Sequence, residues 1–123
     1  MIERQIVTGL IVSTEFLEQI RPSWEAALLE AQTARTIGGW CVEYFDEYAK
    51  APGKIIETIY FEKLRQGEIP KSIAEDVEDS LRDLSEEFDE TFNFKYVLDQ
   101  TKPYFRERSL LLQADRIKEQ LDA

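Results

Sequence analysis

Apolar residues recur at steps of three and four along almost the whole of this chain, and that spacing commits it to helices. Such steps place side chains on one face of a helix, so each segment carries a stripe that must be buried against a neighbour. The clearest stripe runs through Ile73, Val77, Leu81, Leu84 and Phe88, and the opposite face is nearly all acid. Ser72 and Glu75 have the spacing of a capping box that opens it. No segment reads as a convincing strand, and there is no internal repeat.

Glycines and prolines mark where these helices start, stop or bend. A first helix is expected over about Ile2 to Val12, with Gly9 inside it as a site of close packing or a weak point. Ser13 or Thr14 can cap a second, running to about Ile20. Arg21-Pro22-Ser23 breaks the chain, and Ser23 is placed to cap a helix from Trp24. A longer helix spans about Ala31 to Tyr48, with Ile37, Trp40, Cys41, Tyr44, Phe45 and Tyr48 on its apolar side. Gly38-Gly39 predicts a kink or a tight crossing there. Ile55, Ile56, Ile59, Tyr60 and Leu64 define the next helix before Gly67. Asn93 can cap the last and longest pattern, in which Pro103 predicts a bend or break near Lys102. Beyond it, Leu110, Ala114, Ile117 and Leu121 form a short coiled-coil-like seam. With 123 residues, 43% of them hydrophobic, the chain suits a single domain with a real core. The expected fold is all-α, a compact bundle of about six or seven helices.

The residues present narrow the chemistry. There is no histidine, one cysteine and no glycine-rich phosphate loop, and most catalytic toolkits lean on one of these. No catalytic, cofactor-binding or metal-ligating residue is therefore assigned, and the chain is expected to act by binding. Glu43, Asp46 and Glu47 cannot complete a di-iron motif without histidine and read as a solvated face. Cys41 lies on an apolar stripe and reads as an inert buried thiol. Trp40, Tyr44, Phe45 and Tyr48 lack interleaved cations, so they read as helix core rather than as a base-stacking platform. The net charge of −10 disfavours tight direct contact with nucleic acid or an anionic membrane, and favours a basic partner. No apolar run is long enough to span a membrane, no signal peptide is in view, and a cytoplasmic location is expected.

Two surfaces stand out. Glu75, Asp79, Glu86 and Glu87 belong to the densest acidic run, which is either a docking face or a solubilising one. Tyr104, Phe105, Leu110, Leu111 and Leu112 carry more apolar area than a single stripe needs. Either neighbouring helices wrap this segment or it meets a partner.

The order of segments carries a resemblance. Ile2-Glu3-Arg4-Gln5-Ile6-Val7-Thr8-Gly9-Leu10-Ile11 is followed by Trp40-Cys41-Val42-Glu43-Tyr44-Phe45 and Lys50-Ala51-Pro52. The series closes with Tyr96-Val97-Leu98-Asp99-Gln100 and Tyr104-Phe105-Arg106-Glu107-Arg108-Ser109-Leu110. Over nearly its whole length the chain resembles the N-terminal domain of DnaB-like replicative DNA helicases of the phage or prophage type. The resemblance implies a core bundle over about 1–91 and a C-terminal helical hairpin over about 93–122, with Pro103 near its bend. It implies self-association into a collar through Tyr104, Phe105, Arg108, Leu111 and Leu112, and contact with primase or a helicase loader. The family's motor carries a Gly-x-x-x-x-Gly-Lys-Ser/Thr loop. No such string occurs here, so this chain alone is not expected to hydrolyse ATP. The alternatives are a stand-alone acidic adaptor or phage regulatory protein for a basic partner, and a helical enzyme with a carboxylate-bound metal.

Overall fold

A computed structural model describes residues 2–87 and 93–122, with the side chains of 85–87 left aside. Six α-helices and no strand occur among the described residues: α1 (Ile2–Val12), α2 (Thr14–Ile20), α3 (Gln32–Tyr48), α4 (Ile55–Arg65), α5 (Lys71–Glu87) and α6 (Phe94–Asp122). The all-α bundle read from the spacing is the fold. Phe88, placed on the apolar stripe of α5, lies outside the described residues.

The bundle is organised around α1. Six consecutive residues, Ile6 to Ile11, are buried, because α2, α3 and α6 all pack on this helix. A helix apolar on every side is a core helix. Its one polar member here, Thr8, donates its hydroxyl to the Arg4 carbonyl at 2.9 Å. Gly9 is the close approach between α1 and α2: a Cβ there would lie 2.8 Å from the Phe16 ring. Ser13 then ends one helix and opens the next. Its N–H donates to the Gly9 carbonyl at 2.9 Å, and its Oγ accepts from the Phe16 N–H at 3.1 Å.

No α-helix follows Ser23. The segment instead forms two single 3-10 turns, Arg21–Ser23 and Ala26–Leu28, separated by extended backbone at Trp24 and Glu25. Ser23 donates its hydroxyl back to the Ile20 carbonyl at 3.2 Å, closing the first turn rather than capping a new helix. The extended stretch lets Trp24 reach Gly38 of α3, where a Cβ would meet the indole at 2.8 Å. The glycine pair therefore marks a tight crossing, and α3 runs through it unbroken.

Connections beyond α3 are fixed by backbone geometry. Ala49 ends α3 in the left-handed region, φ 58°, with its N–H on the Phe45 carbonyl at 2.7 Å. Ala51 N–H donates to Thr14 Oγ1 at 3.0 Å and Gly53 N–H to the Ile11 carbonyl at 2.7 Å, tying this loop to the α1–α2 corner. α5 begins at Lys71, with the Pro70 carbonyl accepting from Ile73 and Ala74. Ser72 thus sits inside the first turn, and the expected capping box is not the start of the helix.

The C-terminal segment is one helix of 29 residues, where two arms of a hairpin were expected. Asn93 caps it, its Oδ1 accepting from Tyr96 N–H at 2.9 Å. Pro103 removes the N–H that would bond to the Asp99 carbonyl, at a cost of about 3 kcal/mol in a helix interior. Both Asp99 and Pro103 face solvent, so water can serve the freed carbonyl. On the other side Val97, Thr101 and Phe105, at steps of four, are buried against the bundle and hold the helix through the proline.

Candidate functional site

The residues proposed for subunit contact divide when placed on α6. Phe105 is 5% exposed and belongs to the core, so it cannot meet a second chain. Tyr104 donates its hydroxyl to the Glu3 carboxylate. Arg108 clamps the second 3-10 turn, with Nε on the Leu28 carbonyl at 3.1 Å and a terminal nitrogen on the Ala27 carbonyl at 3.3 Å. Leu112 is half-buried against the core. Only Leu111 of the five is open to solvent, at 50%. The segment's inner flank is wrapped by neighbours, which answers half of the question its apolar excess raised.

The other half lies further along the helix. From Gln113 to Asp122 every residue is exposed. At about 1.5 Å per residue, α6 carries about 15 Å of helix that none of the described residues covers. Its seam is apolar: Leu110, Ile117 and Leu121 are exposed at 66, 58 and 80%, with exposed Ala114 between them. The spacing of four, three and four puts these on one face. Between Leu110 and Leu121 the charges balance, Arg116 and Lys118 against Asp115 and Glu119, within a chain of net charge −10.

Glu3 organises the root of this helix. Its carboxylate accepts from the backbone N–H groups of Glu30 at 2.7 Å and Ala31 at 3.0 Å and from Tyr104. One side chain of α1 thus caps the entrance to α3 and anchors α6. Partial burial works against its charge, but the bonds from Tyr104, Ala31 and Glu30, with Arg108 nearby, outweigh burial and lower its pKa. Burial, reinforced by the bond to Glu3, raises the Tyr104 pKa far above the phenolic range. In the sequence Glu3 stands out only as part of the segment 2–11, because its bond to Tyr104 spans 101 positions of chain.

On the acidic face of α5, Glu75 and Asp79 are exposed, and Asp79 pairs with Arg82 at 3.4 Å. Glu86 and Glu87 lie on α5, with side chains outside the described residues. Two apolar depressions, of about 470 and 310 Å³, are lined from α1 and α5, and Leu84 borders both. Trp40 is buried, as expected of a core residue, while Tyr48, expected in the core, is exposed at the end of α3 with its ring tilted against Tyr44 at 4.7 Å. Asp46 accepts both arms of the Arg21 guanidinium at 2.7 and 3.0 Å, which pins the first 3-10 turn to α3 and lowers the carboxyl pKa. Cys41 is fully buried, and burial drives its thiol far from ionisation. Among the described residues no group of three or more acidic or cysteine side chains is gathered to hold a metal, and no helix is long and apolar enough to cross a membrane.

Comparison with family models, curated proteins and solved structures gives no match to this chain.

Proposed function

We propose that this chain is a non-catalytic assembly module whose copies pair through the outer half of α6. We further propose that it serves, without a cofactor and in the cytoplasm, as the oligomerisation and partner-docking domain of a replicative DNA helicase, contacting a primase or helicase loader. The observation that carries the pairing is the uncovered seam of Leu110, Ala114, Ile117 and Leu121. A second copy suits it, because the local charges cancel and like-charge repulsion is weakest there. The helicase assignment rests on the resemblance set out from the segments 96–100 and 104–110. Two helices meeting over residues 110–121 share about 18 Å of length. Such an interface falls below the roughly 1,200 Å² of stable complexes, so pairing is weak and depends on concentration.

Light scattering on size-separated protein tests this. The wild-type molar mass should rise from 14.4 kDa toward the dimer as concentration increases. The double variant Ile117→Lys, Leu121→Lys should stay monomeric with unchanged helicity. A wild-type chain that is monomeric throughout, or a variant that associates equally, would reject the pairing. The second reading, a stand-alone acidic adaptor for a basic partner, is favoured by α5, where Glu75, Asp76, Glu78, Asp79 and Asp83 outnumber Lys71 and Arg82.

A further inference from the structure

The residues of the α6 seam also bear on the direction in which two copies meet. Leu110, Ala114, Ile117 and Leu121 are spaced four, three and four, and all are exposed. Carried back along the helix, the same steps fall on Glu107, Pro103, Gln100 and Tyr96, which are exposed as well. The apolar part of the stripe therefore stops at a carboxylate. We infer, on the pairing proposed above, that the two copies run antiparallel, with a two-fold axis crossing the seam between Asp115 and Arg116.

Two features favour this direction over the parallel one. The first is size. In a parallel pair each residue meets its own counterpart, so Ala114 faces the partner's Ala114 and Ile117 faces the partner's Ile117. A narrow layer then adjoins a wide one, and the alanine layer leaves a void. In an antiparallel pair Ala114 faces the partner's Ile117, and Leu110 faces the partner's Leu121. Each small side chain is met by a large one, and the layers fill evenly. The second feature is charge. At the axis spacing of packed helices, about 8–10 Å, a parallel pair runs on into the inner half of α6, where Glu107 meets the partner's Glu107. Like charges in one layer oppose association. The parallel pair also sets two bodies side by side, each chain carrying a net charge of −10. The antiparallel pair ends its last layer at Leu110, one step short of Glu107, and puts the bodies at opposite ends of the seam. Helix dipoles attract in this arrangement and repel in the other.

Cysteine cross-linking of the whole chain reads the direction. Cys41 is fully buried, so a cysteine introduced on the seam is the one that reacts. Leu110→Cys and Leu121→Cys are oxidised separately and as an equal mixture, and disulfide dimers are read on non-reducing gels. In the antiparallel pair position 110 lies about 16 Å along the axis from the same position of the partner subunit, beyond the roughly 7 Å that a disulfide spans. The same holds for position 121, whereas 110 and 121 adjoin across the pair. The mixture should therefore cross-link, and neither variant should do so alone. Cross-linking of either variant alone would overturn the inference, as would dimers that cross-link in no combination. Glu107→Gln keeps every apolar residue of the seam and checks the charge argument. It should leave the dissociation constant unchanged. A tightening of about ten-fold or more, from release of a like-charge pair, would show the parallel arrangement. Light scattering on the same samples separates the two claims. A chain that is monomeric at every concentration defeats the α6 pairing and this inference with it. Dimers that cross-link through one variant alone leave the pairing standing and overturn only its direction.

Discussion

Single atoms decide several positions in this chain. Gly38 and Gly39 are neighbours on one helix with opposite requirements. A Cβ at Gly38 would press on the Trp24 indole at 2.8 Å, with Leu10 and Leu29 at 3.4 and 3.5 Å, while nothing lies within 4 Å of a Cβ at Gly39. Gly38→Ala should therefore destabilise the fold by about 1–3 kcal/mol through overpacking. Gly39→Ala should stabilise it by up to about 1 kcal/mol through helix propensity. Urea denaturation of the two variants separates the effects by sign. Glu3 is the other decisive residue. Replacing it with Gln removes the charge that three donors share, and about 1–2 kcal/mol of stability should go with it at neutral pH. Its carboxyl pKa is depressed in the fold, so its contribution is present above the ordinary value of 4.5 and is lost as pH falls through the folded value. The gap in melting temperature between wild type and Glu3→Gln should accordingly narrow on acidification below about pH 4.5. Sequence could mark the glycine pair as a packing site but could not say which glycine packs. That depends on where the extended backbone at Trp24 delivers the indole.

At the scale of elements, local spacing located five helices well, because each buries a stripe of fixed period. α1, α2, α3, α4 and the capped start of α6 at Asn93 fall close to where the pattern put them. The failures have a common cause in tertiary contacts overriding local chemistry. Ser23 looks like a cap, yet the segment 24–31 is extended or 3-10 because it is held from outside, by Glu3 on Glu30 and Ala31 and by Arg108 on Ala27 and Leu28. Pro103 looks like a hinge, yet α6 passes through it because Val97, Thr101 and Phe105 are anchored in the core. The strain that remains can be measured. Pro103→Ala should restore a donor to the Asp99 carbonyl and raise stability by up to about 3 kcal/mol without altering the fold. At the end of α3, Ala49 holds a left-handed conformation that costs a non-glycine residue about 1–2 kcal/mol. Ala49→Gly should recover about 1 kcal/mol of that, read as a rise in melting temperature.

Taken as a whole, the molecule is a bundle wrapped around α1 with an apolar seam exposed along the outer half of α6. The apolar excess of residues 104–112 was legible in the sequence, and so was the seam from Leu110 to Leu121. Which of them is spent on the fold was not, because Phe105 and Leu121 look alike until α1, α2 and the second 3-10 turn are placed against the helix. The acidic run was equally legible, but the depressions beside it are lined from α1, α3, α4, α5 and α6 and have no signature in any one of them. Amide hydrogen exchange at low and high protein concentration reads the pairing where it is proposed to occur. Amides of residues 110–122 should be weakly protected in dilute protein and gain protection as concentration rises, while those of α1 stay unchanged. Protection of 110–122 that is the same at both concentrations would contradict pairing through α6.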